Sequence, residues 1–450
     1  MNTTPAYTED TIVAAATPPG KGGIGVVRIS GPDTAKIATQ MLGDLPAPRY
    51  ATVAEFRGAD GTPIDAGLAL YFPTPDSFTG ETVLELQGHG GPLVMSLLVD
   101  AAVALGARRA QPGEFSKRAF LNGKLDLIQA EAVADLIDSG TARGARAALR
   151  SLVGTFSKAV EELQEQLTRL RLHVEAAIDF PEEEIDFLDD AKLQKQIEKC
   201  ADAIDSLRNE TRIGSILRDG FQVVILGKPN AGKSSLLNAL SGQDAAIVTE
   251  VAGTTRDILR ESIDIDGLMV ELVDTAGLRD DPDMIEAEGI KRARKALKNA
   301  DAILWIQDAT QPAENNHEED IADNIPQIIL RNKTDATGES PGVQQQDPPI
   351  LNISAKTGAG LDALRETIRQ VAGYENLGDG AFTARRRHID ALNLAAQHFE
   401  CGRDALKKNK AGEIFAEELK LAQSALGEIT GSFTSDDLLG RIFSEFCIGK

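Results

Sequence analysis

Cysteine is scarce: only Cys200, Cys401 and Cys447 occur in 450 residues, and they lie far apart. Three thiols cannot all pair and show no metal-ligand spacing, which excludes a disulfide scaffold or a cysteine-built zinc site. Long apolar runs are missing too. No stretch approaches the ~20 residues that span a bilayer, so no membrane role is expected. Positive charge is in deficit, with 47 Lys and Arg against 69 Asp and Glu, a net charge of −22. That excludes a protein whose whole surface grips nucleic acid or anionic lipid, though not a local basic patch. Residues 1–10 have neither a basic nor an apolar leader region. No secretory signal is therefore expected, and a cytoplasmic location is.

What is present is ordinary globular composition, 42% hydrophobic and 26% charged. Length divided by ~150 predicts about three domains. Three textures follow one another. Residues 1–120 are rich in Gly, Pro and β-branched types, with strands expected at 24–30, 66–72 and 83–87 and a helix at 93–105. This is a compact α+β domain. From 121 to 217 apolar residues recur at helical spacing: Leu149, Leu152, Val153, Phe156, Val160, Leu163, Leu167, Leu170 and Val174. Residues 218–379 alternate strands (221–226, 262–265, 268–273, 302–306, 327–330, 350–352) with helices, the pattern of a mostly parallel sheet. Segment 342–349 reads as a polar loop. Helical texture returns in 380–450. The simplest architecture is one helical domain, 121–217 with 380–450, interrupted by an inserted α/β domain; the alternative is two separate helical domains.

The strongest motif is Gly227-Lys228-Pro229-Asn230-Ala231-Gly232-Lys233-Ser234, which follows an apolar strand and opens a helix with Ser235. Glycines there let backbone N–H groups approach phosphate oxygens, and the helix N-terminus adds partial positive charge. Lys233 reaches the β- and γ-phosphates and Ser234 offers its hydroxyl to Mg²⁺. Asp274-Thr275-Ala276-Gly277 ends a later strand, where a carboxylate can hold the Mg²⁺ shell and a glycine N–H can sense the γ-phosphate. Asn332-Lys333-Thr334-Asp335 follows another strand, and a carboxylate such as Asp335 pairs with the N1–H and 2-amino edge that guanine has and adenine lacks. Ser354-Ala355-Lys356 can face the guanine O6 through backbone N–H. The nucleotide is thus GTP. Between these elements lie Thr249 and the run Gly253-Thr254-Thr255-Arg256-Asp257, in which Thr255 suits a Mg²⁺ ligand made only with the γ-phosphate present. Leu278 stands where Ras-like GTPases carry a water-orienting glutamine. Hydrolysis must recruit another group or be very slow, and Glu286 and Glu288 follow; a solvated helix face is the alternative for either.

Together with the terminal Phe446-Cys447-Ile448-Gly449-Lys450 and the N-terminal Thr17-Pro18-Pro19-Gly20, Ser77-Phe78-Thr79-Gly80-Glu81, Leu86-Gln87-Gly88-His89-Gly90-Gly91 and Arg118-Ala119-Phe120-Leu121-Asn122, these motifs resemble the MnmE (TrmE) family over essentially the whole chain. The resemblance implies a multidomain α/β plus α fold: an N-terminal folate-binding-like domain, a helical bundle, and an inserted Ras-like P-loop GTPase domain. It implies a tRNA-modifying GTPase that acts with an FAD-dependent partner, MnmG (GidA), on carbon 5 of the wobble uridine. It adds an aminomethyl or carboxymethylaminomethyl group. The implied one-carbon source is 5-formyltetrahydrofolate or a relative, bound in the N-terminal domain, with homodimerisation through that domain.

Position by position, the resemblance makes Asn230 and the carbonyls of Thr249, Val251 and Thr254 ligands of a K⁺ ion that supports GTPase-domain dimerisation, Ser234 and Thr255 ligands of Mg²⁺, and Glu286 the residue that orients water. Arg28, Glu85, Lys124 and Lys450 become folate contacts. Cys447 fits either a nucleophile or packing near the chain end, and His89 either a turn or a site residue. Net charge argues that the flavoprotein supplies much of the tRNA contact. Arg143, Arg146, Arg150 and Arg385-Arg386-Arg387 are the local basic clusters. The competing class is a ribosome-assembly or translation GTPase whose N-terminal module only binds.

Overall fold

The computed structural model describes residues 10–179, 191–228, 230–241, 260–274, 300–312, 325–344, 346–374, 380–432, 436–444, 446 and 449. Two compact units divide the chain: Met1–Ala134 with Leu426–Lys450, and Asp135–Ala425.

The first unit runs β1 (Ile12–Ala15), β2 (Gly22–Ser30), α1 (Thr34–Leu42), β3 (Thr52–Arg57), β4 (Pro63–Phe72), β5 (Val83–Gly90), α2 (Pro92–Ala104), β6 (Arg108–Arg109), α3 (Glu114–Leu121) and the start of α4 (Leu127–Asp138). Its sheet has the order β3-β4-β5-β2-β1-β6. Alternation decides the faces. Leu84 and Leu86 point into a core with Val27, Ile29, Ile37, Met41, Phe56 and Leu98, while Glu85 lies on the other face. Each large aliphatic side chain buried in that core contributes roughly 1.5–3 kcal/mol. The expected strands and helix are present with shifted ends; β1, β3, β6, α1 and α3 were not expected. Among the described residues of this unit Arg118 is the one large cation that is buried, and three carboxylates meet it: Asp10 at 2.8 Å, Glu81 at 3.0 Å and Glu114 at 3.0 Å. The C-terminal helix Asp436–Ser444 seats Leu439, Ile442 and Phe443 against Leu127, Ala130 and Ala134.

The second unit begins with α5 (Ala142–Leu152), α6 (Thr155–Asp179) and α7 (Ala191–Asp219). Phe156, Val160, Leu163, Leu167, Leu170 and Val174 form the buried stripe of α6, as the spacing predicts. Leu149 and Val153 do not join it: they are 49% and 70% exposed. Gly154, at φ +90°, takes the left-handed conformation and breaks the run into two helices, which rotates those two side chains outward.

An α/β insert follows: β7 (Phe221–Gly227), α8 (Lys233–Ser241), β8 (Arg260–Ile265), β9 (Leu268–Asp274), β10 (Ala302–Asp308), β11 (Gln327–Asn332), α9 (Thr334–Thr337), β12 (Gly342–Gln344), β13 (Ile350–Asn352) and α10 (Leu361–Val371). The chain then returns to α11 (Arg386–Asn409) and α12 (Gly412–Thr430). The seven strands are ordered β12-β13-β11-β10-β7-β9-β8. The central five are parallel and both edges antiparallel. β12 corrects the loop expected at 342–349: three residues are too few for a periodic signal, and pairing with β13 makes the strand.

Entry to the insert and exit from it are tied together. Asp135, on α4 and 6% exposed at its side chain, accepts from Arg218 Nε and from Arg385 Nη2, both at 2.8 Å. Arg218 ends α7 before the insert and Arg385 caps α11 after it. Ser151 binds both the N–H and the carbonyl of Thr383 at 3.0 Å, and Arg150 donates to the Ala381 carbonyl at 2.9 Å. Phe156 stacks on Phe382 with ring centroids 4.3 Å apart. Arg150 and Arg385 are therefore internal braces, not free members of the basic clusters read from sequence; Arg386, 81% exposed at its side chain, remains outward. Removing Asp135 takes away the buried carboxylate that Arg218 and Arg385 share, although Asp219 still meets Arg218. Asp135→Ala should lower stability by roughly 3 kcal/mol, read as a lower urea midpoint, whereas Arg386→Ala should change it by less than about 0.5 kcal/mol.

Candidate functional site

The β-strand order reverses between β7 and β10: from β7 the chain moves to β9 on one side and later to β10 on the other. In open parallel sheets that switch leaves a crevice at the C-terminal strand ends. The loop between β7 and α8 lies there. Gly227 has φ +153° and an added Cβ would sit 2.4 Å from the Ile306 carbonyl oxygen, so only glycine lets β7 end against β10. Gly232 has φ +100°, and its Cβ would meet Asn332 Nδ2 at 2.2 Å. Asn230 is also left-handed, at φ +63°, and exposed. The N-terminus of α8 opens onto this loop, and the N–H groups at a helix start favour an anion. Lys233, 7% exposed, donates from Nζ to the carbonyls of Gly227 at 2.7 Å and Lys228 at 2.9 Å. Its ammonium thus stands over the loop. Ala231 is buried beneath it, and Ser234 and Ser235 are exposed in the first turn.

Asn332 joins this loop to the other two. Its Nδ2 donates to the Ala231 carbonyl at 2.9 Å, and its Oδ1 accepts from the Ala355 N–H at 3.0 Å. Asn332 is 2% exposed. Asp335, in the first turn of α9, accepts from Ser354 Oγ at 2.7 Å. Lys333 is left-handed at φ +69° and caps α9; its Nζ meets Asp308 Oδ2 at 2.6 Å. Lys356 is exposed in the loop after β13. Asn230, Ala231, Gly232, Lys233, Ser234, Ser235, Asn332, Lys333, Asp335, Ser354, Ala355 and Lys356 therefore lie on loops at one end of one sheet. The backbone of Asp274 ends β9, in register with Ile225 of β7. Thr249, Val251, Thr254, Thr255, Thr275, Ala276, Gly277, Glu286, Cys447 and Lys450 lie outside the described residues.

Asp308 was not singled out in the sequence, although it ends an apolar strand beside the lysine of the Asn-Lys-Thr-Asp motif. The hydrogen bond from Lys333, followed by those from Thr310, holds its carboxyl down to about 2. The ordinary carboxylate value is 3.8. Because the folded value is the lower one, the stabilisation is complete above the unfolded value and is lost as pH falls through about 2. At neutral pH the Asp308 carboxyl is fully charged.

A second group of expected residues lies in the first unit. Arg28 on β2 and Glu85 on β5 are directly opposite in register and pair with each other, at 2.9 Å from Nε and 2.8 Å from Nη2. The guanidinium also lies over the rings of Phe78 and Phe115, 5.4 and 5.7 Å from their centroids. The stem of Lys124 passes the loop at Gly80. Gly449 fits closely on Ala15, where an added Cβ would lie 2.2 Å from the carbonyl oxygen. His89 gives its backbone N–H and ring Nδ1 to Asp65, both at 2.7 Å, while its ring stays 77% exposed. Of the other two cysteines, Cys200 is buried, and that burial pushes its thiol up to about 11, out of the nucleophilic range. Cys401 is exposed with its thiol raised by Glu418.

Two family models match. The MnmE helical domain matches residues 127–447, and the GTP-binding protein TrmE N-terminus matches residues 11–124. Curated relatives match over nearly their whole length. A tRNA modification GTPase MnmE of Vibrio parahaemolyticus is 54% identical over 98% of this chain and 100% of its own. The protein of the same description from Proteus mirabilis is 52% identical over 99% and 100%. Among solved structures, a variant of Aquifex aeolicus Era bound to GDP·AlF4⁻ is 27% identical over 40% of this chain and 66% of its own, with a TM-score of 0.25.

Asn332→Ala should release both loops and leave the Ala231 carbonyl and the Ala355 N–H without partners. The expected loss is about 2 kcal/mol of stability, read by urea denaturation.

Proposed function

Since the chain belongs to the MnmE family, whose curated members are tRNA modification GTPases, we propose that it binds and hydrolyses GTP at the β7–α8 crevice as part of modifying the wobble uridine of certain tRNAs. The observation that carries this reading is the convergence of the phosphate loop, Asn332, Asp335 and Ala355 at one end of one sheet. A carboxylate at Asp335 matches the donor edge of guanine. Lys233 and the α8 N-terminus match the phosphates. Ser234 in the first turn of α8 suits Mg²⁺, with Asp274 and Thr255 completing its shell. Mg²⁺ supplies charge neutralisation between phosphate oxygens. K⁺ held by Asn230 and the carbonyls of Thr249, Val251 and Thr254 would add a positive charge where other GTPases place an arginine, and would favour pairing of two GTPase domains. Glu286 is the proposed aligner of the attacking water, since Leu278 has no polar atom to do so.

We assign the tetrahydrofolate to the first unit. Glu85 offers a half-buried carboxylate to the amino edge of a pterin, beside Arg28, whose guanidinium lies over the rings of Phe78 and Phe115. Arg28, Lys124 and Lys450 provide cations for the anionic tail. Arg28 and Glu85 bind each other here, so ligand binding exchanges that pair for contacts to the ligand. Val53 and Leu68, opposite each other in register and 80% and 38% exposed, give the same unit apolar surface suited to a second copy. The FAD-dependent MnmG-type partner is proposed to carry much of the tRNA contact, given the net charge of −22. The cytoplasm is the proposed site of action. Domain limits of 1–120, 121–217 with 380–450, and 218–379 are proposed for the folate, helical and GTPase parts, and Cys447 as a candidate nucleophile.

Two outcomes test this. Asp335→Asn should exchange guanine for xanthine preference, because an amide offers the N–H that the xanthine 2-oxygen accepts; competition binding of GDP and XDP reads it, and unchanged guanine preference contradicts the assigned base site. Mass spectrometry of tRNA from cells lacking the protein should show loss of 5-aminomethyl-type wobble uridines, restored by the wild type and not by Glu286→Ala. An unaltered nucleoside profile would return the protein to the class of assembly or translation GTPases.

A further inference from the structure

Asp308 and Asn332 occupy matching positions on the parallel strands β10 and β11. One residue beyond Asn332 the chain turns sharply: Lys333 takes the left-handed conformation, which costs a non-glycine residue of order 1 kcal/mol. That turn aims Lys333 back across the strand ends toward β10, where Asp308 receives its ammonium at 2.6 Å. Asp308 is itself fixed. Its Oδ1 accepts from the Thr310 N–H at 3.0 Å and from Thr310 Oγ1 at 2.7 Å, and the Ala309 N–H binds the Asn332 carbonyl at 2.8 Å. One oxygen therefore anchors the carboxylate to its own loop and the other holds Lys333. Both side chains are partly exposed, 37% for Lys333 and 21% for Asp308. A free lysine stem at that exposure samples many rotamers, and ordering it on ligand binding would cost up to about 2 kcal/mol.

We propose that Asp308 is a positioning residue for the nucleotide base: it holds the Lys333 stem extended across the strand ends, beside Asp335, so that the wall of the base site is ordered before the nucleotide arrives. This rests on the GTPase reading above. Asp308 acts through Lys333 and touches neither phosphate nor the hydrolytic water. Its removal weakens binding of GDP and GTP alike and spares turnover at saturation.

The test is a double-mutant cycle on the full-length protein, with Kd for N-methylanthraniloyl-GDP from fluorescence titration and kcat from phosphate release at saturating GTP. Asp308→Ala is expected to raise Kd about tenfold for both nucleotides and to leave kcat within about twofold. Combined with Lys333→Ala it should cost no more than Lys333→Ala alone, because the two act as one unit. Asp308→Asn keeps an oxygen for Thr310 and so the loop, and is expected to lose about threefold. A Kd within twofold of wild type for Asp308→Ala, or penalties that add in the double variant, would overturn the proposal. So would a fall in kcat that matches the rise in Kd, since that is what loop collapse produces. Failure of the wild type itself to bind guanine nucleotides would overturn the GTPase reading and this inference with it.

Discussion

A single buried amide organises the nucleotide end of the sheet. Asn332 has one donor group turned to the phosphate loop and one acceptor turned to the loop after β13, and it reaches both because Gly232 has no side chain to block it. Neither loop has a regular ladder of its own at that point. Their relative spacing is set by two hydrogen bonds to one side chain that is closed to water, so neither bond competes with solvent. The residues proposed to recognise a nucleotide are placed relative to that amide: Lys233 on one side, Asp335 and Ser354 on the other.

Charge is distributed on the same principle of local satisfaction. Arg118 in the first unit and Arg385 in the second are buried, and each is met by carboxylates. An excess of 22 negative charges therefore does not leave these interior cations available to an outside anion. Cations that can meet a polyanion must come from outward positions such as Arg386, which pairs with Asp390 at 3.2 Å on the exposed face of α11. This is the physical ground of the proposal that a partner carries much of the tRNA contact.

Much of the fold was legible because it rests on short-range patterns. The α6 stripe from Phe156 to Val174 is a period of 3.6, and the apolar strands of the insert are bounded by glycine and asparagine. The phosphate loop and the Asn332 motif were legible because chemistry dictates residue type at fixed spacing. What escaped has non-local causes. β12 exists only because β13 lies beside it. Leu149 and Val153 continue the helical period, yet Gly154 turns them to solvent. Asp308 and Lys333 are 25 residues apart in sequence, and only the parallel register of β10 and β11 brings them together. Asp135 reaches Arg385 across 250 residues, a partnership that no local pattern encodes.

The Asp135 cluster also says something about the insert as a module. Arg218 and Arg385 share one carboxylate oxygen, so the chain leaves the bundle and re-enters it at nearly the same place. The insert also meets the bundle beside that point: Arg143 of α5 lies over the Tyr374 ring at 5.0 Å, and α7 packs against β9. The two ends of the insert are thus clasped by one carboxylate, like a cartridge whose removal would require only a short bridge. Any motion of the insert would reach the helices through that clasp and through the α7–β9 contact.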